Sequence, residues 1–156
     1  MDRSTAEQNI DVGLENNLVR KNLRWGRKAA KARGINLSSR HHAVIVDVSA
    51  GRKFRHLTID HSPCITRARA MTQGFVVHKR YVRRRLTMVE LAKLQGARLQ
   101  RYNVNGILQS KMLSLIGNAM SRNCIDRVVP RLLQSAGLLS RMPEDKWATR
   151  HMLDCL

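Results

Sequence analysis

The first long pattern of apolar and polar positions predicts a helix over residues 14–33. Its apolar positions share one side of a 3.6-residue period, interrupted by Asn22: Leu14, Leu18, Trp25, Ala29 and Ala32. Basic residues crowd the remaining positions, no acidic residue follows Glu15, and Gly34 suits the end of the helix. Such a basic amphipathic helix fits two roles equally well. It can lie on a phosphate backbone, or it can be a solvated helix packed on another domain.

Several short apolar segments in the middle of the chain predict strands. Residues 43–48 are apolar and β-branched and are typical of a buried strand. Further strands are predicted at Thr58-Ile59, at Cys64-Ile65-Thr66 and at 75–78, after Gly74. Cys64 is therefore expected to be buried in a strand.

The last third of the chain predicts helices. Residues 87–95 open with Thr-Met-Val-Glu, a capping box in which Thr87 and Glu90 satisfy each other's backbone N–H groups, and Gly96 ends the helix. A second helical region begins near Ile107 and is punctuated at Gly117-Asn118. The apolar stripe that follows consists of Met120, Cys124, Ile125, Val128, Val129, Leu132, Leu133 and Ala136. Little in the chain is able to cover this stripe, so we expect it to dock on another surface.

The charge of the chain points to a polyanionic partner. The formal net charge is +18, from 29 Lys and Arg against 11 Asp and Glu. Nucleic acid is the expected partner, because neutralising phosphates releases condensed counterions. A solvated basic surface is the alternative. Aromatic residues make up only 4%, so base stacking is poorly supported and phosphate contact is favoured.

The sequence does not predict a membrane protein or a metal site. No apolar run approaches the length of a membrane-spanning helix, and the first residues lack the apolar region of a signal peptide. Three cysteines are scattered without the spacing of zinc ligands or of a disulfide framework. We therefore expect an intracellular protein, nuclear if its source is eukaryotic, without a metal ion.

Three segments resemble conserved elements of the DNA (cytosine-5) methyltransferases. Residues 84–96, Arg-Arg-Leu-Thr-Met-Val-Glu-Leu-Ala-Lys-Leu-Gln-Gly, resemble the family's ninth motif, R-x-L-T-x-x-E-x-x-x-L-Q-G. Residues 117–120, Gly-Asn-Ala-Met, begin twenty-one residues later and resemble the tenth motif, G-N-A. Residues 62–69 are similar to the strand that closes the target-recognition region. The family usually continues L-Q-G with an aromatic residue and a proline, whereas Ala97 and Arg98 follow here.

The resemblance covers residues 44–138 and implies an α+β fold. Short strands of a partial recognition region would precede helices that normally pack on a Rossmann-like methyltransferase domain. It divides the chain into a disordered tail (1–13), a basic helix (14–40), a partial target-recognition region (41–82), motifs nine and ten (83–140) and a carboxy-terminal tail (141–156).

The resemblance also implies site residues. Gly117, Asn118 and Ala119 would border the S-adenosylmethionine pocket, which this chain supplies only in part. The predicted contacts with DNA are Arg67, Arg69, Arg83, Arg84 and Arg85. At least one of the last three is expected to be structural and to fix backbone carbonyls of the recognition region.

The residues that perform the methyl transfer in the family are missing. The P-C-Q nucleophile loop, the E-N-V and Q-x-R-x-R motifs and the F-x-G-x-G cofactor loop are absent. Pro63-Cys64 is followed by Ile65-Thr66 rather than by Gln, so Cys64 is not expected to be the nucleophile. No catalytic residue is predicted, and a catalytic domain in cis or in trans is expected. The alternative is a non-catalytic basic nucleic-acid-binding module, a degenerate remnant. RNA as the substrate stays open, since the family includes a tRNA-methylating branch.

Overall fold

The structure, a computed structural model, describes residues 16–79, 82–145 and 147–148. The predicted disordered tail, residues 1–13, lies outside the described residues. So do residues 149–156 of the predicted carboxy-terminal tail.

The basic amino-terminal helix is confirmed as α1, Asn17–Ala32. Its start is fixed by Asn16, whose side chain accepts a hydrogen bond from the backbone N–H of Leu18 at 2.8 Å. Its end is followed by Gly34 at φ +74°, a left-handed conformation that glycine adopts without a steric penalty. Asn16 and Gly34 thus set the two ends of the helix.

Four antiparallel strands form one sheet. They are β1 (Ala43–Asp47), β2 (Leu57–Ile59), β3 (Phe75–Lys79) and β4 (Val82–Arg85), in the order β2-β1-β3-β4. β1, β2 and β3 lie where the sequence predicts strands. β4 was not predicted, because a run of arginines shows no alternation of apolar and polar positions. It pairs with β3, with Val77 opposite Arg84. The predicted boundary between residues 82 and 83 therefore falls inside a strand.

Four further helices complete the α+β fold. They are α2 (Arg67–Met71), α3 (Met88–Leu94), α4 (Gln109–Asn118) and α5 (Arg122–Ser135). Short 3₁₀ turns lie at Arg52–Phe54 and Leu99–Arg101.

The predicted strand at Cys64-Ile65-Thr66 is wrong. These residues are irregular, and Thr66 is the cap residue that precedes α2. Its carbonyl accepts the first helical hydrogen bond, from the N–H of Ala70 at 2.9 Å. Only Ile65 of the three is buried, whereas Cys64 is exposed. The chain is irregular before Thr66 and helical after it, which the short apolar run did not reveal.

The sheet separates two apolar layers. Val44, Val46 and Val76 pack against α1, on Val19 and Leu23. On the other face Ile45, Phe75 and Val77 pack against the helices α2, α3 and α4. This alternation follows from the two-residue period of a strand. The fold is a helix, a sheet and a helical layer stacked in that order.

The predicted apolar stripe of α1 is only partly correct. Trp25 and Ala29 pack against the core, whereas Leu18 and Ala32 are exposed and Leu14 lies outside the described residues. The helix instead buries Val19, Asn22, Leu23, Gly26 and Ala30. The sequence pattern failed because two of these positions are not apolar side chains, and each has a specific contact that explains its burial.

Asn22 satisfies backbone carbonyls in the core. Its amide donates to the carbonyls of Val48 and Ala50 at 3.0 and 2.8 Å and accepts from Arg55 Nε at 2.8 Å. Gly26 is required by close packing, because a Cβ there would lie 2.6 Å from Val46 Cγ2. Both residues therefore fix α1 on the sheet rather than interrupting its contact.

α5 leaves its apolar side uncovered. No described residue of α5 is buried. Val128 is 53% exposed and Leu132 is 63% exposed, although they lie on the same stripe as Ile125. As expected from the sequence, the described chain leaves Val128 and Leu132 of this stripe largely exposed.

Candidate functional site

A network of three residues organises the start of α3. Both terminal nitrogens of Arg84 bind the carboxylate of Glu90, at 2.7 and 2.6 Å. Thr87 and Glu90 form the predicted capping box, with the Thr87 N–H donating to Glu90 Oε2 at 2.8 Å and the Glu90 N–H donating to Thr87 Oγ1 at 3.2 Å. Paired donors of this kind make the Arg84–Glu90 interaction geometrically specific.

The ionisation of Glu90 reflects this environment. Burial alone raises the pKa of Glu90, but the hydrogen bonds from Arg84 and Thr87 and the charge of Arg84 outweigh burial, so the pKa lies below its ordinary value. The hydrogen bond to Glu90 raises the pKa of Arg84 in turn. The pair is therefore charged at neutral pH and ties β4 to α3.

Gln95 joins two of the three segments that carry the resemblance. Its side-chain amide donates to the carbonyls of Ile116 and Ala119, both at 3.3 Å. Its Oε1 accepts a hydrogen bond from the hydroxyl of Ser121. Its backbone carbonyl accepts from the N–H of Arg122 at 2.9 Å. The end of α3, the end of α4 and the start of α5 meet at this one side chain.

Two glycines allow the chain to come close at this junction. Gly96 has φ +78°, a conformation that an L side chain rarely adopts. Gly117 lies within α4, and a Cβ there would stand 2.4 Å from the Cα of Arg67. The close approach that Gly117 permits is thus to the backbone of α2.

The residues predicted to border the cofactor do not form a cavity by themselves. The backbone of Arg67 occupies the space beside Gly117, whereas Asn118 and Ala119 are exposed at the end of α4. Asn118 is the last residue of α4 and not the cap of α5, which is Ser121. Of the three residues, only Asn118 and Ala119 are therefore exposed enough to contact S-adenosylmethionine. A pocket that encloses it would need further residues from another domain.

The five arginines predicted to contact DNA lie on two elements, α2 and β4. Arg67 is exposed at the start of α2. Arg69 forms an ion pair with the buried Asp47, with Nε 2.6 Å from Oδ2. Arg84 binds Glu90, and Arg85 donates to the carbonyl of Gln73 at 2.7 Å. Arg85 is thus an arginine that fixes a backbone carbonyl, and the described contacts of Arg69, Arg84 and Arg85 are within the chain.

Arg83 lies on the face of the sheet that α1 covers. It stands opposite His78 in the register of β3 and β4. His78 is buried, and its Nε2 has no hydrogen-bond partner among the described residues. Burial, and then the charges of Arg83 and Arg27, lower the pKa of His78 from 6.5 to about 4. Cations from β4 and from α1 therefore approach each other at this histidine.

The segment after α5 folds back on that helix. Trp147 Nε1 donates to Asp126 Oδ2 at 3.0 Å, and Arg127 Nε binds Asp145 Oδ2 at 2.8 Å. A shallow groove between them is lined by Ile125, Asp126, Val129, Pro130, Pro143, Glu144, Asp145 and Trp147. Sequence reasoning missed this contact, because a lone tryptophan in a polar segment shows no periodic pattern.

Comparisons with protein-family models, with curated proteins and with solved structures found no match for this chain. Among the described residues, no group of three or more His, Cys, Asp and Glu side chains is placed to hold a metal ion. In the same part of the chain, no helix has both the length and the apolar character needed to cross a membrane.

Proposed function

We propose that this chain is the carboxy-terminal part of a DNA (cytosine-5) methyltransferase. It would contribute to DNA recognition and complete a catalytic domain that is supplied in cis or in trans. The observation that carries the proposal is the junction at Gln95. Gln95 belongs to the segment that resembles the ninth motif, and its side chain binds the backbone of Ala119 in the segment that resembles the tenth, 24 residues further along the chain.

The contacts within residues 84–96 support the proposal. An accidental match to a capped helix would require only Thr87 and Glu90. Here Arg84 binds Glu90 through both nitrogens, Leu94 is buried and Gln95 reaches Ile116. The positions that the ninth motif specifies thus have distinct contacts in one small junction, which a chance resemblance would not require.

The uncovered stripe of α5 supports a docking partner. In the family the helix after the tenth motif packs on the Rossmann-like domain. Contiguous exposed apolar surface normally marks an interaction site. Leu132 and Val128 are more than half exposed and suit such an interface. We therefore assign α5 to the contact with the catalytic domain.

The chemistry would come from that domain. S-adenosylmethionine bound there would supply the methyl group, and Asn118 and Ala119 would border its pocket. This chain would bind and orient DNA through exposed cations such as Arg67. Cys64 is exposed but lacks the family's neighbouring Gln, and we assign it no role in the reaction.

A complementation assay tests the proposal. Labelled S-adenosylmethionine and duplex DNA are incubated with this chain alone and with the catalytic portion of a cytosine-5 methyltransferase as a separate chain. That portion is also assayed alone. We expect methyl transfer in the mixture and none from either chain alone.

The other outcomes contradict the proposal. Transfer by this chain alone would place catalysis here and make Cys64 the first residue to substitute. No transfer in any tube, with salt-sensitive DNA binding intact, would favour the basic nucleic-acid-binding module. The specific observation that favours this second function is the row of exposed cations on α1.

A further inference from the structure

We propose that the outward side of α1 is a binding surface for the phosphate backbone of duplex DNA. This surface, the α1 row, consists of Arg20, Lys21, Arg24, Arg27, Lys28 and Lys31. It lies before the part of the chain that resembles the methyltransferases. The surface itself supports the binding of a duplex backbone, whereas the choice of DNA over RNA rests on the proposed function.

The geometry of α1 places these cations together. At about 100° per residue, the six positions fall within an arc of roughly 120°. All six are exposed, whereas the opposite side of the helix is buried on the sheet. From Arg20 to Lys31 the row extends for about 17 Å at roughly 1.5 Å per residue. On a DNA strand with about 3.4 Å of axial rise per phosphate, that length spans roughly five phosphates.

Most charges of the row are not neutralised by ion pairs in the described part of the chain. α1 contains no acidic residue. Lys21, Arg24, Arg27, Lys28 and Lys31 form no ion pair with a carboxylate in the part of the chain that the structure describes. Like charges at helical spacings of three and four residues repel one another. A polyanion on this surface would remove that repulsion.

The row is held rigidly on the sheet. The side chain of Asn22 in α1 donates hydrogen bonds to two backbone carbonyls outside the helix, and Gly26 allows α1 to pack closely against Val46. Arg27 of the row acts electrostatically on His78, which lies opposite Arg83 of β4 in the sheet. The surface therefore extends from α1 towards an arginine already predicted to contact DNA.

Other polyanionic surfaces fit the row less well. An amphipathic helix on a membrane inserts an apolar face, but the apolar face of α1 is covered by the sheet. Single strands are held by stacking on aromatic side chains, and the aromatic residue of α1, Trp25, is half-buried against the core. A duplex backbone needs only the cations.

The test measures binding of the full chain to a short duplex DNA of mixed sequence at several salt concentrations. The α1 variant replaces Arg24, Arg27, Lys28 and Lys31 by Gln. The control variant replaces Lys93, Arg98, Arg101 and Lys111 by Gln, four exposed cations on the α3–α4 side of the sheet. Both variants lose the same charge, so a difference between them depends on position. Circular dichroism and urea unfolding verify that both fold.

We expect the slope of log Kd against log salt to become shallower by about 4 in the α1 variant, about one for each phosphate that is no longer neutralised. The control variant should keep a slope within roughly 1 of the parent chain. Equal reductions of the slope in the two variants would attribute the effect to net charge and overturn the proposal. An unchanged slope in the α1 variant would also overturn it.

Duplex RNA and vesicles of anionic lipid serve as further probes. Stronger α1-dependent binding to either of them than to duplex DNA would overturn the assignment. Failure of the proposed function is distinguished from failure of this inference, because binding is measured without methyl transfer. If the chain binds DNA through α1 but never restores methyl transfer, the α1 proposal stands and the proposed methyltransferase function is refuted.

Discussion

At the scale of single residues, Asn22 is a buried polar group that specifies how α1 sits on the sheet. Its two donated hydrogen bonds satisfy carbonyls that would otherwise be orphaned in the core. The sequence presents it as an interruption in an apolar stripe. A polar residue inside an otherwise apolar helix face is a signal for such a contact, but its partners in the segment after β1 cannot be known before the fold is.

We expect Asn22→Asp to lower the free energy of unfolding by about 2 kcal/mol at neutral pH. A carboxylate cannot donate to Val48 and Ala50, and it places negative charge against both carbonyls. Asn36→Asp is the matched control, because the exposed Asn36 only accepts a hydrogen bond, from the N–H of Ser38. Urea unfolding followed by circular dichroism measures both, and equal stabilities would contradict the role of Asn22.

His78 gives the chain a stability that depends on pH. Its pKa is about 4 in the folded chain and 6.5 when solvated. Between these values the unfolded chain binds more protons than the folded one. The free energy of unfolding should therefore increase as pH rises from about 4 to 6.5, by roughly 3 kcal/mol from this group, and be independent of it above that range.

The measurement is urea unfolding at a series of pH values for the parent chain, His78→Leu and His41→Gln. His78→Leu should flatten the dependence between about pH 4 and 6.5. His41 is exposed, so its variant should retain the slope. Loss of stability below about pH 4.5 should persist in all three, because the pKa of Glu90 is lowered and its interactions with Arg84 fail on protonation. A parent chain with constant stability across this range would refute the assignment.

At the scale of elements, α2 and α4 cross at Gly117. The contact leaves no room for a side chain, since a Cβ would stand 2.4 Å from Arg67 Cα and 2.6 Å from its N. Backbone atoms cannot turn aside as a flexible side chain can. The two helices would have to separate.

Gly117→Ala should therefore lower the free energy of unfolding by about 2 kcal/mol, in the range of overpacked cores. Gly51→Ala is the control. Gly51 has φ −62°, and nothing lies within 4 Å of its Cβ position, so alanine there should be neutral or slightly stabilising. Thermal unfolding compares the two, and a neutral Gly117→Ala would show that the helices tolerate separation.

α5 provides a test of docking that leaves the fold intact. Leu132 is 63% exposed in the middle of the apolar stripe. Leu132→Glu should not change the stability of the isolated chain by more than about 0.5 kcal/mol. In the complementation mixture it should reduce methyl transfer at least about tenfold, because burying an unpaired charge in the interface is costly.

Gln134→Glu introduces the same charge on the opposite side of α5 and should leave the mixture active. The amplitude of DNA binding by either variant alone serves as a check that recognition is unaffected. Equal activity of the two variants in the mixture would show that this stripe is not the docking surface.

The sequence predicted most of these elements because their signals are local. The capping box of Thr87 and Glu90 and the uncovered stripe of α5 depend on neighbouring residues and on helical spacing. The strand at Cys64 was wrong, because a short apolar run does not distinguish a strand from an irregular segment. β4 was missed, because a run of arginines gives no sign of its pairing with β3. The contacts of Arg84 with Glu90 and of Gln95 with Ile116 were not predicted, because their partners are known only once the fold is.

At the scale of the whole molecule, a net charge of +18 works against compactness. Screening by salt weakens repulsion between exposed cations such as those of the α1 row. We expect the melting temperature to rise by several degrees as sodium chloride is increased from about 50 to 300 mM. Differential scanning fluorimetry measures this shift. A melting temperature that falls with salt would mean that favourable ion pairs outweigh the repulsion.

The position of β4 in the sheet has a consequence for solubility. Within the described part of the chain, β4 pairs with β3 alone, so its other side is an open edge with backbone groups able to recruit a strand from another molecule. Its sequence is Val-Arg-Arg-Arg, and a second copy of the same strand would bring like charges together. The arginines of β4 therefore disfavour edge-to-edge aggregation through charge repulsion, in addition to their other contacts. The same arginine run that hides the strand in the sequence thus opposes pairing of its edge with a strand of another molecule.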